Sequence, residues 1–541
     1  MIKQSSILND VLGPVMTGPS SSHTAAPGKI GLAVSRLWGK PVRSATIIYD
    51  RDGSYPSTHI GQGSDFGFAA GLLGLQTDDP RFRDSLQLAR QTGVSIRFRI
   101  GELGAHHPNE ARIDIAEAAD SPVKMSVLSY STGGGTFLLS EMDGFPISFD
   151  GQRQKCYLAC HSEAGERICR MLNVENAVFQ MHQADPARTT AVTLPAPDAI
   201  LFEIEGSSFD VDDLRGSVAE LDGLYYFRTI DPVVPAPLRM VPAPPFTTAA
   251  ETLEYARKHH ITSMPDLAVI YECSLCLLDR DTAYKKMANV LQAMRSSMLP
   301  PPEDDPVQNL IIPRYSSALS QRKTWPLDMG VVNVCMQSAV SVMENSCAHR
   351  VVVAAPTAGS SGVIPAAVVA VGQALERTDQ QISDALWACG LVGVYIANQA
   401  TFGAEVAGCQ AEIGASACMA AAGVVQLMGG TLEQGFHAAC IAMHSFLGLI
   451  CDPVAGLVEF PCIERNVTAS AAAVMAANMA LCGMTSLVSL DETIQTMLEV
   501  GKMLPRELCC TCQGGLCTTG SGRAAADRVA RRQTEAGGLC S

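Results

Sequence analysis

The spacing of apolar and polar positions changes character three times along the chain. In residues 1–150, runs that alternate or are rich in β-branched residues predict strands at 44–49, 95–100 and 110–115. Two more strand-like runs, 124–130 and 136–139, flank Gly133, Gly134 and Gly135. Residues 25–37 have helical periodicity, with Pro27 tolerated in the first turn and the run Ser20, Ser21, Ser22, His23, Thr24 as the start signal. A Gly-rich loop, GSYPSTHIGQGSD, leads into a small-residue helix at 66–73. Residues 151–231 predict a smaller α/β module, with strands at 154–160, 190–194 and 199–205 and helices at 162–172 and 210–219. The six prolines of 232–245 mark a linker, 232–246. From 247 to 541 the pattern is almost wholly helical, with 266–297 read as one long helix, 327–346 as another, and 523–532 as a basic helix-like run. The predicted fold class is therefore multidomain: an N-terminal α+β domain, a small α/β middle module, and a large, mostly all-α C-terminal domain.

Composition narrows the function classes. At 541 residues the chain exceeds one ordinary core, so about two to four domains are expected. The balance of 54 acidic against 39 basic residues gives a net charge of −15, and no basic run offsets it, which argues against a nucleic-acid partner. Three segments, 351–375, 413–432 and 466–490, carry no charge and are long enough to cross a bilayer. They are rich in Ala, Gly and Ser, contain Pro356, Pro365 or polar Asn, and lack an aromatic belt or basic flanks. Close-packed helices inside a soluble domain are expected instead, with no membrane partner. The 19 cysteines are an odd count and MIKQSSILND has no apolar signal core, so reduced thiols in the cytoplasm are expected rather than a disulfide framework.

Three of those cysteines stand at breaks in small-residue runs. Cys409 opens GCQAEIGASACMAAAG, and Cys451 and Cys462 bracket CDPVAGLVEFPCIERN. Their separations of 42 and 11 residues fit neither a C-x₂-C zinc pattern nor the tight bacterial ferredoxin run. Three thiolates from separate loops suit a cluster with one iron left open; buried structural thiols are the alternative on residues alone. APTAGSSGVIPA is either a sharp turn between helices or a loop whose N–H groups face a carboxylate.

Taken together, TGPSSSHTAAPGKIG, STGGG, APTAGSSGVIPA, GCQAEIGASACMAAAG and CDPVAGLVEFPCIERN resemble, in order, the β and α parts of the iron–sulfur-dependent L-serine dehydratases. The resemblance covers 13–135 and roughly 247–515, as a single-chain fusion. It implies a [4Fe–4S] cluster on Cys409, Cys451 and Cys462 with an open iron acting as Lewis acid. The implied reaction is the pyridoxal-phosphate-independent conversion of the small amino acid L-serine to pyruvate and ammonia, in a homodimer. Ser20, Ser21, Ser22 and Thr24 from one part, and Thr357, Gly359, Ser360 and Ser361 from the other, would converge on the substrate carboxylate. His23 is a base, a substrate contact, or a structural residue capping its own loop.

Two departures matter. Where the family reads close to GKGHGTD, this chain has IGQGSD, so Gln62 stands at the histidine position and cannot accept a proton at neutral pH. His59 or His23 would substitute, or the substrate has shifted. Asp65 keeps the family's acid, as an orienting group or a helix N-cap. At the tail, Cys540 is the candidate for a ligand that folds back onto the open iron, while Cys509, Cys510, Cys512 and Cys517 read as loosely packed thiols. Residues 151–231 fall where some members carry a regulatory, ACT-like domain. The competing functions are an L-cysteine desulfidase or related β-elimination, favoured by Gln62, and a non-catalytic iron–sulfur or thiol sensor.

Overall fold

Strand and helix signals of both periods occur, and the chain uses them in two separate units. The computed structural model describes residues 4–104, 106–174, 178–184, 198–205, 211–219, 222–239 and 243–537. The predicted strand 190–194, residue Asp210 of a predicted helix, and Cys540 lie outside the described residues. One unit comprises residues 22–132 and 136–240; the other comprises 1–21, 133–135 and 241–541.

The first unit is α/β. Its six-stranded sheet runs, edge to edge, Ser95–Gly101, Ser44–Asp50, Glu110–Ala116, Val123–Gly133, Thr136–Met142 and Phe145–Phe149. Ser44–Asp50 pairs parallel with Ser95–Gly101 and antiparallel with Glu110–Ala116. Apolar residues on one face of these strands (Ile47, Ile113, Val127, Leu139) are buried with Ile30, Ala33 and Leu37 of helix Ala26–Trp38. That helix crosses Ser64–Leu72 at backbone contact: a Cβ on Gly71 would lie 2.0 Å from the Gly28 carbonyl oxygen. The small-residue pattern of 66–73 thus reflects a helix crossing too close for side chains.

The same unit carries a four-stranded antiparallel sheet, ordered Leu224–Ile230, Lys155–His161, Ala199–Glu205, Phe179–Gln183. With helices Ser162–Val174 and Val211–Ala219 it runs βαββαβ along the chain. Strands Phe179–Gln183 and Leu224–Ile230 were not predicted. Both leave much of their length half-exposed or exposed, so neither shows a clean apolar period.

The second unit is largely helical. Uncharged helix Ile413–Leu427 is buried almost throughout and packs against Asp379–Gln399, Leu432–His444 and Cys462–Leu481. Its small side chains let four helices approach closely, and no described helix is long and apolar enough to cross a membrane. The expected single helix at 266–297 is instead two, Met264–Leu275 and Arg280–Ser297. The break follows from Asp279, whose carboxylate accepts from Thr282 N–H (2.7 Å) and caps the second helix. Residues 327–346 become helix Val331–Cys347, and the tail helix is Gly520–Gly537. A two-stranded antiparallel pair, Val15–Thr17 with Val351–Val353, leads the chain into APTAGSSG.

Candidate metal centre

Each of the three cysteines occupies a different kind of break in the helical unit. Cys409 begins the single 3₁₀ turn Cys409–Ala411, just ahead of Ile413–Leu427. Gly408 precedes it at φ 69°, and a Cβ there would lie 2.6 Å from the Leu449 carbonyl oxygen, so the turn needs glycine. Gln410 ties this turn to the next loop: its N–H donates to Leu449 O (3.1 Å), and its side-chain carbonyl accepts from Gly448 N–H (2.9 Å). Cys451 lies in that loop, and Cys462 is the first residue of helix Cys462–Leu481. All three thiols are buried.

Charged and amide side chains fix these breaks. Arg465 donates to Ile450 O (3.1 Å) and to Asp452 Oδ1 (2.8 Å), gripping both neighbours of Cys451. Asn466 accepts from Gly362 N–H (2.9 Å) and donates to Gly359 O and Cys462 O (2.8 Å each), so one amide joins the glycine loop to the Cys462 helix. Sequence reasoning missed both, although they stand side by side in the quoted motif CIERN.

Glu412 was missed too. Its carboxylate, Cys409 Sγ and Cys451 Sγ lie within 4.8 Å of one another. The Cys409 thiol donates to Glu412 Oε2 (3.7 Å), and Thr357 also hydrogen-bonds the carboxylate. A Cβ on Gly359 would sit 3.3 Å from its Oε1, so only glycine leaves this approach open. Burial raises Glu412 to about 7. The signal was available: Glu412 is the sole charge between Gly408 and Gly430.

The Cys451 and Cys462 thiols are held well above their ordinary range. For Cys451 the leading cause is its hydrogen bond with Cys409, followed by that with Cys510 and by burial. For Cys462 burial leads, with the Cys409 and Glu412 charges adding to it. Binding a thiophilic metal group here releases protons, since thiolate is the ligand. Cys409 and Cys451 converge with Glu412, and Cys462 is buried near enough for the Cys409 charge to raise it, a donor set consistent with an iron–sulfur cluster.

The APTAGSSG motif is a capping-box turn rather than an open loop. Thr357 caps the 3₁₀ turn Ala358–Ser360 and exchanges bonds with Ser360. The Ser360 hydroxyl is also within bonding reach of Ala355 O (3.3 Å), and the Ser361 hydroxyl donates to Met343 Sδ (3.5 Å). These two hydroxyls bond within the protein. Ser21, in the same unit, accepts from Ala358 N–H (3.4 Å), and Ser20 is buried.

The SSSHT run is likewise not an open loop, and its last three residues open the α/β unit. Ser21–Ala25 forms a π-helical turn that runs directly into Ala26–Trp38, without a side-chain cap. The His23 tautomer follows from its neighbours. Asn109 Nδ2 donates to Ser131 O (3.4 Å), which leaves Asn109 Oδ1 to accept from the Ser54 hydroxyl. Ser54 Oγ then accepts from His23 Nε2–H (3.0 Å), and His23 Nδ1 accepts from Ser22 O–H (2.9 Å). Burial lowers His23 to about 4, so the ring is neutral at pH 7. Thr24 donates to the Gln62 main-chain carbonyl (2.6 Å), and the Gln62 side chain is buried. His59 bonds Asp65 (2.8 Å), which also accepts from Tyr49 O–H (2.9 Å). Asp65 is therefore an orienting group; the helix N-cap is Gly63. Stacked Tyr49 and Tyr55 lie between the two histidines, with His59 against Tyr49 and His23 edge-on to Tyr55.

The family profile described as serine dehydratase alpha chain matches residues 166–517. The probable L-serine dehydratase alpha chain of Bacillus subtilis (strain 168) is 44% identical over 188 residues, which is 35% of this chain and 63% of that one, less than two thirds. L-serine dehydratase TdcG of Escherichia coli (strain K12) is 30% identical over 526 residues, 92% of this chain and 96% of its own. The L-serine dehydratase of Streptomyces coelicolor is 28% identical over 519 residues, with the same coverage of 92% and 96%. With a profile spanning most of its length and relatives that align nearly end to end, the chain belongs to the family of iron–sulfur-type L-serine dehydratases.

Proposed function

We propose that the chain is an L-serine ammonia-lyase, converting L-serine to pyruvate and ammonia without pyridoxal phosphate, at a [4Fe–4S] cluster held by Cys409, Cys451 and Cys462. The observation that carries this reading is the convergence of buried Cys409, Glu412 and Cys451 beside the glycine turn, in a chain of this family. A cluster held by three thiolates keeps one iron free of protein sulfur, and that iron supplies Lewis acidity toward the serine hydroxyl.

The chain's own residues do the rest. Asn466 and Arg465 hold the Cys462 and Cys451 segments at fixed positions, which is the positioning such a reaction needs. Thr357 and Gly359, which border the Glu412 carboxylate, bind the substrate. Glu412 takes the Cα proton, as its carboxylate is the acceptor nearest the thiols. Loss of hydroxide then gives aminoacrylate, which tautomerises to an imine and hydrolyses. His23 is neutral and fixed by Ser22 and Ser54, so it is not the proton store. The βαββαβ module at 155–230 is assigned a regulatory role, and the enzyme a dimeric, cytoplasmic state.

The test is anaerobic purification with iron analysis, a visible spectrum, and a 2-oxo acid assay on L-serine. An iron-loaded protein that releases pyruvate supports the reading. Iron without serine turnover, but with sulfide released from L-cysteine, shifts it to the desulfidase that Gln62 keeps in view. No iron after reconstitution removes the mechanism.

A further inference from the structure

The cysteines of the tail were read as loosely packed, yet two of them are built into one turn. Cys512 and Cys517 are hydrogen-bonded to each other through their thiols. Both sulfurs also lie within reach of the same acceptor, the Pro453 carbonyl oxygen, at 3.4 and 3.2 Å. The turn between them is pinned from below. Leu516 N–H donates to Asp452 Oδ2 (2.8 Å), and Gly515, at φ 61°, lies so close that a Cβ would stand 2.3 Å from that oxygen. Cys512 is exposed and Cys517 is buried beneath it. The arrangement separates roles: one sulfur meets solvent, the other waits behind it.

We propose that Cys512 and Cys517 form a thiol–disulfide exchange site that takes small-molecule disulfides as oxidant. Cys512 thiolate attacks one sulfur of R–S–S–R, forming the mixed disulfide Cys512–S–S–R and expelling RS⁻. Cys517 then attacks the Cys512 sulfur, closing Cys512–Cys517 and expelling the second RS⁻. The two protons of the protein thiols pass to the two leaving thiolates. Two protein thiols are oxidised, one disulfide is reduced to two thiols, and nothing else is consumed. Cys512 is the attacking sulfur because it is the exposed one, and its hydrogen bond from Cys517 lowers it to about 7, near the best value for attack at neutral pH. Cys509 and Cys510 do not compete. They are buried or half-buried in the backbone pairing with Cys451, where Cys510 N–H donates to Cys451 O (2.9 Å).

This site stands apart from the cluster reading, because its readout is the covalent state of the tail. The full-length protein is incubated anaerobically with oxidised glutathione at pH 7, acid-quenched, alkylated and digested with trypsin. The peptide between Arg506 and Arg523 carries Cys509, Cys510, Cys512 and Cys517, and fragmentation locates any bond within it. The expected result is a disulfide joining Cys512 to Cys517, with Cys509 and Cys510 alkylated. In C517S, Cys512 accumulates as the mixed disulfide with glutathione; in C512S, Cys517 stays reduced. With iodoacetamide at pH 7, Cys512 reacts at least about tenfold faster than any other tail thiol. A Cys509–Cys510 or Cys451–Cys510 disulfide as the first product overturns the proposal. So does glutathionylation of Cys517 in C512S at the rate seen for Cys512, or a Cys512 no faster than its neighbours.

Discussion

At the scale of single residues, the decisive groups are polar side chains inside apolar surroundings. Glu412 is the sharpest case. Replacing it with Gln keeps size and most hydrogen bonds but removes the proton acceptor, so kcat on L-serine is expected to fall by about 10²–10⁴-fold. Iron content should stay at the wild-type level, and a variant that loses iron instead would show that Glu412 serves the cluster rather than the proton. His23 gives a pH prediction whose sign is fixed by burial. Its folded value of about 4 lies below the ordinary 6.5, so between those values the unfolded chain binds more protons. Stability tied to a neutral His23 is complete above pH 6.5 and is lost as pH falls toward 4. Between pH 7 and pH 5 that amounts to about 2 kcal/mol. In His23→Gln the fall in unfolding free energy over this interval should be smaller by that amount, measured by urea titration at the two pH values. Sequence reasoning singles out the cysteines and His23 because motifs mark them. It passed over Glu412, Arg465 and Asn466 because their roles depend on which backbone groups the fold brings within reach. Spacing along the chain does not encode that.

At the scale of elements, the long apolar runs were legible as helices but their junctions were not. The break at 276–279 hides in a continuous run of good helix formers, and only the Asp279 cap betrays it. SSSHT reads as a helix start signal, and APTAGSSG as either a sharp turn or a loop facing a carboxylate. The structure winds the first as a π-helical turn and closes the second with a capping box. The abundance of Ala and Gly was read correctly as close packing, and Gly423 shows its cost in tolerance. A Cβ there would stand 2.3 Å from Cys389 Sγ and 3.0 Å from Ala385 O, between Ile413–Leu427 and Asp379–Gln399. Gly423→Val should force these helices apart and destabilise the chain by about 1–3 kcal/mol. Gly429→Ala is the control for added bulk, since nothing lies within 4 Å of a Cβ there, although its φ of 77° carries a separate strain. Thermal unfolding of the two variants separates crowding from backbone strain, because only Gly423→Val should be rescued by trimming Cys389 to Ala.

At the scale of the whole molecule, the order of the chain and the order of the fold differ. Residues 1–21 belong to the helical unit, which otherwise comprises 133–135 and the residues from 241 onward, so that unit forms only when segments far apart in the chain meet. The closure is made by a buried carboxylate. Glu272, on helix Met264–Leu275, accepts from Ser6 O–H (2.6 Å), Ile7 N–H (2.7 Å) and Leu8 N–H (3.2 Å). Ile7 and Val11 then fill the space left by Gly390 and Gly393 on Asp379–Gln399. No sequence pattern predicts this, since the pairing spans more than 260 residues and uses one Glu among many. Removing residues 1–12 should leave the carboxylate with only the weak Cys276 thiol donor (3.6 Å) and cost more than the lost apolar contacts alone, because a poorly paired buried charge is the expensive outcome. The urea midpoint should therefore drop in the truncated chain and be partly restored by adding Glu272→Leu, since replacing both partners by apolar groups is close to neutral. In the intact chain the same Glu272→Leu should be destabilising, as it leaves three donors unmet. If it is harmless there, or restores nothing in the truncated chain, the two ends are joined by apolar packing and the carboxylate is incidental.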